Sequence, residues 1–222
     1  MPISPQADLE ITAFNWVPDF ARGFVRDLRP RWACEEIGLD YSEKLISAVE
    51  RPADHYQVQP WGQVPVLRDG DVTLFESGAI LLHLGQKDRR LMPDDPQGRA
   101  SATAWVFAAL NSVEPMIFEL GNVDIFSKDE EWAKLRRPGL IAFIRTRFAR
   151  LSDALGDKPF LLGEFSVADI AMATVLREAV KAGIVAEFPN LAAYLDRCVG
   201  RPAFDRALAA QLAAFTEEPV AA

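Results

Sequence analysis

The first apolar run, Leu9–Phe14 (LEITAF), is short and rich in strand formers and predicts a strand. Residues 15–23, with Pro18, Asp19 and Gly23, read as a loop. From Asp27 the apolar spacing changes to Leu28, Trp32, Cys34 and Ile37, the period of a helix, and Gly38 closes it as a C-cap would. Pro30 is tolerated only in the first turn of a helix, where its missing N–H has no intrahelical partner to lose, so this helix is expected to begin near Asp27. An aspartate there can accept from the free first-turn amides.

Residues 39–48 predict a second strand, and 49–61, broken by Pro52 and Pro60, read as irregular or briefly helical. Residues 63–67 (QVPVL) start a proline-bearing strand, Asp69-Gly70 signals a hairpin turn, and Val72–Phe75 returns as its partner. Glu76, Ser77 and Gly78 then lead into a helix over 79–84. Residues 87–99 (KDRRLMPDDPQGR) form a charged linker, beyond which strand signals nearly vanish: 100–120, 129–155, 167–182 and 191–199 all read as helical. The pattern therefore predicts an α/β domain over 9–86, ordered βαβ then ββα, followed by an all-helical bundle over 97–215. The run SVAD at 166–169 fits a capping box, Ser166 bonding forward and Asp169 back, and its meaning is structural.

Half of the 222 residues are apolar and a quarter charged, as in globular chains. A formal net charge of -8 opposes binding to a phosphate backbone, so nucleic acid is not an expected partner. Arg22, Arg26, Arg29 and Arg31 nevertheless form a local basic cluster, either an anion site or a solvated helix face. The two cysteines, Cys34 and Cys198, have neither CxxC nor Cys/His spacing, so no disulfide and no metal site is expected, and the apolar position of Cys34 reads as core. The first ten residues lack the order of a signal peptide, and no apolar run approaches a membrane span, so a soluble, cytoplasmic chain is expected.

Four segments in this order, 31–41 (RWACEEIGLDY), 59–67 (QPWGQVPVL), 75–84 (FESGAILLHL) and 160–174 (FLLGEFSVADIAMAT), resemble the cytosolic glutathione S-transferase superfamily over about residues 9–206. The resemblance implies a thioredoxin-like N-terminal domain that binds glutathione and a helical C-terminal domain. It implies that the backbone of Val64 pairs with the cysteinyl part of glutathione, with Pro65 in the cis form; the alternative is an ordinary edge-strand proline. Gln63 would reach the glycyl carboxylate, whereas nearby His55 reads as a surface or packing residue. Glu76 would meet the ligand's ammonium, directly or through Ser77, and Ser77 its α-carboxylate, unless Ser77 merely caps the helix.

Such an enzyme must hold a thiolate at neutral pH, although an unperturbed thiol has a pKa of about 8.5. Family members place a Tyr, Ser or Cys near the start of the first helix; the matching stretch here is Phe24, Val25, Arg26 and Asp27, with no hydroxyl or thiol. Three donors remain: the backbone amides at the helix start, the side-chain amide of Asn15, and Arg26. Arg26 is the leading catalytic candidate because a fixed cation beside sulfur lowers its pKa; its other use is a salt bridge or contact with solvent. Asp27 should stay away from the sulfur, since a like charge would raise the thiol pKa. The expected function is a homodimeric glutathione transferase that activates the thiol for attack on a small electrophile or a peroxide, as in detoxification. The rival is a transferase-like binding or scaffold module without turnover.

Overall fold

The computed structural model describes residues 3–216 and 218. Strand β1 (Leu9–Phe14) is followed by a single 3-10 turn at Asp19–Ala21 and helix α1 (Leu28–Ile37). Then come β2 (Ser42–Ile46), the one-turn helix α2 (His55–Val58), β3 (Val66–Asp69), β4 (Val72–Phe75) and α3 (Ser77–Gly85). The sheet order is β2-β1-β3-β4. β1 runs parallel to β2, from Glu10 opposite Ser42 to Phe14 opposite Ile46, and antiparallel to β3, from Leu9 opposite Asp69 to Thr12 opposite Val66. β3 and β4 close a hairpin with Asp69 opposite Val72, so the two-residue turn falls on Gly70 and Asp71. The buried faces meet in a core that includes Ile11, Leu67, Trp32, Ile80 and Leu84.

Two expectations about α1 fare differently. Gly38 caps its C-terminus in the left-handed region (φ 69°), its amide reaching the Cys34 carbonyl. Asp27 stands at the N-cap but makes no side-chain capping bond. Its carboxylate instead accepts from Arg31 Nε at 2.7 Å, a cationic donor that competes better for a buried anion than a neutral backbone amide does, and from Gln211 Nε2 at 2.6 Å. Burial pushes the Asp27 carboxyl up against those two donors.

β1 and β4 fall on the runs that predicted them, whereas β2 is shorter than its run and β3 starts later, for local reasons. β2 does not begin until Ser42, because Leu39 still donates to the Cys34 carbonyl as part of the helix cap. It ends at Ile46, because Ser47 Oγ then takes the amides of Val49 and Glu50 in a side-chain turn. β3 starts only after Pro65, which has no N–H to give a ladder.

The helical unit is built from α4 (Pro96–Phe107), α5 (Glu114–Gly121), α6 (Glu131–Leu155), α7 (Val167–Ala179) and α8 (Pro189–Val199). α4 starts inside the stretch expected as linker because Asp95 caps it, accepting from Gly98 N at 2.8 Å, with Pro96 in the first turn. The run expected as one helix over 100–120 is interrupted by a π-helical segment at Ala108–Val113, just before Pro115, which cannot donate into a regular ladder. The capping box at α7 is present, and Asp169 does more than cap: its carboxylate also accepts from Leu161 N at 2.9 Å and from the Tyr194 hydroxyl at 3.0 Å. It thereby ties the start of α7 to the preceding loop and to α8.

The last helix, α9 (Pro202–Ala213), returns to the first unit. The compact units are the residues up to Met92 with those from Gly200 onward, and Pro93–Val199, whereas the helical pattern grouped 97–215 together. On α1, the Trp32 and Phe204 rings meet edge to face at 4.8 Å, Arg201 holds Glu36 through two bonds of 2.6 and 2.7 Å, and Arg206 holds Glu35 at 2.6 Å. Among the described residues no helix is long and apolar enough to cross a membrane.

Candidate functional site

Within the first unit a cavity of about 260 Å³ opens where β1 ends. Phe14, Val17 and Ala21 come from β1 and the loop after it, and Phe24, Val25 and Arg26 from the approach to α1. Gln63 and Val64 face them from the segment before β3, and Arg51 completes the wall. Three of the residues singled out in the sequence, Arg26, Gln63 and Val64, thus share one cavity. None of its lining residues carries a hydroxyl or a thiol. Phe24 lines it in the region where the resemblance led one to look for such a group.

Asn15 is not part of this wall. Its backbone is paired on both sides, donating to the Ile46 carbonyl at 2.9 Å and accepting from Thr216 N at 2.8 Å, and its side-chain oxygen is buried with no hydrogen-bond partner among the described residues. Cys34 is fully buried, and burial pushes its thiol up, which suits a core residue and not a nucleophile.

The Val64–Pro65 peptide bond is cis. Because Val66 pairs with Phe75, Pro65 and Glu76 follow one step beyond that pair, which brings the second group of candidate residues beside the first. Glu76 is exposed and has φ 69°, the left-handed region, where a non-glycine residue costs on the order of 1 kcal/mol or more. It is the single such residue among those described. Ser77 opens α3, buried, with its Oγ accepting from Arg29 Nη1 at 2.9 Å. A hydroxyl whose oxygen accepts from a guanidinium keeps its proton to donate.

Four residues near the site were not marked by sequence reasoning as part of it. Arg51 lies with its guanidinium 5.3 Å from the centre of the Phe14 ring, and its Nε is buried without a hydrogen-bond partner among the described residues. A cationic side chain next to Pro52 in an otherwise irregular segment was the available signal. Arg29 was visible only as one of a basic cluster, yet its side chain is buried against Ser77, 48 positions away. His55, expected at the surface or in packing, is buried and bonded through Nε2 to the Gln63 carbonyl at 2.7 Å. Gln59 Oε1 accepts from Trp61 N at 2.7 Å and Gln63 N at 3.1 Å. Between them Gly62 turns the chain at φ 64°, and a β-carbon there would sit 2.6 Å from the Tyr56 ring.

The sheet, the cis Val64–Pro65 step and the α3 start together describe a thioredoxin-like unit with a peptide-sized binding edge. Comparison with known proteins gives that class its family. Residues 19–86 match the glutathione S-transferase N-terminal domain and residues 129–197 the glutathione S-transferase C-terminal domain. The chain is 30% identical over 188 residues to glutathione S-transferase GstA of Escherichia coli O157:H7, covering 79% of this chain and 89% of that one. It is 30% identical over 165 residues to glutathione S-transferase F14 of Arabidopsis thaliana, covering 66% of this chain and 63% of the relative. Among solved structures, a glutathione transferase of Burkholderia graminis with two glutathione molecules bound per subunit superposes with a TM-score of 0.79 at 28% identity, covering 90% of this chain and 87% of that one. The chain belongs to the glutathione S-transferase superfamily.

Proposed function

We propose that this chain binds glutathione along the Gln63–Val64 edge and uses the guanidinium of Arg26 to hold its sulfur as a thiolate for attack on an electrophile or a peroxide. The observation that carries this reading is that Arg26 lines the same cavity as Val64, in a wall without hydroxyl or thiol. Arg26 is preferred to Asn15, which does not line the cavity.

In this reading the glycyl carboxylate of glutathione meets Gln63 and Arg51, whose buried Nε is a donor awaiting an acceptor. The α-carboxylate takes the Ser77 hydroxyl proton and the free amides at the start of α3, and Glu76 takes the ammonium. The thiol loses its proton to solvent, and the sulfur lone pair then forms the new bond while the leaving group departs with its electron pair. Arg26 contributes by making the thiolate cheaper in the bound state. Family membership supports a homodimer acting in the cytoplasm on detoxification chemistry, and sedimentation of the purified chain at micromolar concentration checks the dimer.

The test is to titrate the thiolate absorbance of bound glutathione. With the unaltered protein the thiol pKa should fall below its value in free glutathione, and Arg26→Ala should raise it by about one unit or more. An unchanged pKa in Arg26→Ala removes Arg26 from the mechanism. The second reading, a binding or scaffold module, is favoured by Phe24 standing in the cavity wall. Retention on immobilised glutathione without turnover of an aryl halide or a hydroperoxide would establish it.

A further inference from the structure

α2 and its cap supply nothing to the cavity wall, yet both ends of this short helix converge on Gln63. Its carbonyl accepts from His55 Nε2 at 2.7 Å, and its amide donates to Gln59 Oε1 at 3.1 Å. Both residues are 2% exposed. A carbonyl can only accept, so His55 Nε2 carries a proton, and an oxygen that takes two backbone amides fixes the orientation of the Gln59 side chain. The two residues are themselves braced: His55 N donates to the Pro52 carbonyl at 3.0 Å, and Gln59 N to the His55 carbonyl at 2.9 Å.

The consequence lies one bond further on. The peptide linking Gln63 to Val64 is planar and trans, so its C=O and N–H point in opposite directions. Holding the Gln63 carbonyl against the buried His55 ring therefore directs the Val64 amide away from that ring. Val64 lines the cavity, and its backbone is the edge assigned to the cysteinyl part of glutathione. We propose that His55, with Gln59 as its counterpart, is a positioning residue for glutathione: it never touches the ligand but sets the peptide plane that presents Val64. This rests on the glutathione-binding reading above. It is a role in affinity, not in thiolate stabilisation.

The test uses the full chain and compares His55→Phe, which keeps a ring and loses the donor, with His55→Gln, whose amide nitrogen can reach a similar position. Glutathione affinity is measured by calorimetry, with KM, kcat and the pKa of the bound thiol followed in parallel. The expected result for His55→Phe is a roughly tenfold weaker Kd and higher KM, with kcat at saturating glutathione within about twofold and the bound thiol pKa unmoved, and His55→Gln should recover most of the loss. Should His55→Phe fail to fold, His55→Asn, whose amide stops short of Gln63, should show the same weakening. A folded His55→Phe or His55→Asn that binds glutathione like the unaltered protein overturns the proposal, and so does a loss confined to kcat or the thiol pKa. If the unaltered protein does not bind glutathione, the functional reading itself fails, an outcome distinct from unchanged affinity in the variants.

Discussion

Ser77 and Glu76 are neighbours in sequence, but they are held in different ways, and substitution can separate them. Ser77 Oγ accepts from a buried Arg29, whereas the side chain of Glu76 is exposed on a left-handed backbone. Ser77→Ala takes an acceptor from a buried guanidinium as well as a donor from the ligand. It should cost about 1–3 kcal/mol of stability in urea unfolding in addition to weakening glutathione. Glu76→Gln keeps the backbone and removes only charge from an exposed group, so glutathione should bind more weakly with stability unchanged within about 0.5 kcal/mol. Equal stability losses in the two variants would refute the role given to Arg29. Gln63, Val64, Pro65, Glu76 and Ser77 could be singled out as candidates in the sequence only through the family resemblance, which two short runs carry. Arg29, His55, Gln59 and Arg51 were not, since each acquires its role from a partner that only the folded chain brings near.

At the scale of elements, the hairpin was legible from Asp69-Gly70, but not what else Asp69 does. Its carboxylate accepts from His83 Nε2 and from Lys87 Nζ, each at 2.6 Å, and so fastens the end of β3 to α3 and the residues after it. Burial pushes this carboxyl up, but the hydrogen bonds and charges of Lys87 and His83 outweigh it and hold the group below its usual range. A carboxyl whose folded pKa is depressed stabilises the fold above its unfolded value of about 3.9 and loses that contribution as pH falls through the folded value. Asp69→Asn keeps a residue suited to the turn while removing the charge. It should cost about 0.5–1 kcal/mol in urea unfolding at pH 7, a small figure because the pair is partly solvated, and the gap should close as the pH drops below about 3.9. A difference that persists undiminished at pH 3 would mean that the pair acts through shape and not charge. The same contrast between local signal and tertiary competition explains Asp27, chosen by position as a cap but taken by Arg31 and Gln211.

At the scale of the molecule, the chain leaves its first compact unit after Met92 and rejoins it at Gly200. Helical periodicity reports an element's type and its apolar face, but not which core that face will cover, and so the segment carrying α9 was grouped with the helices before it. Its partners on α1 and just ahead of it lie 165 to 186 positions away. Two positions on α9 separate holding the unit together from shaping its cavity. Phe204 packs its ring on Trp32 in the middle of α1, so Phe204→Ala should cost about 3–5 kcal/mol of stability while glutathione affinity of the folded protein stays within about twofold. Gln211 instead donates to the Val25 carbonyl at 3.0 Å and to Asp27 at 2.6 Å, on either side of Arg26 in the sequence. Gln211→Leu should cost less, about 1–3 kcal/mol, yet weaken glutathione binding severalfold and raise the bound thiol pKa, because Val25 and Arg26 both line the cavity. Denaturant unfolding paired with glutathione titration of each variant decides the matter: if binding falls in proportion to lost stability in both, α9 merely completes the unit, whereas opposite rankings would make Gln211 the link from the end of the chain to the site.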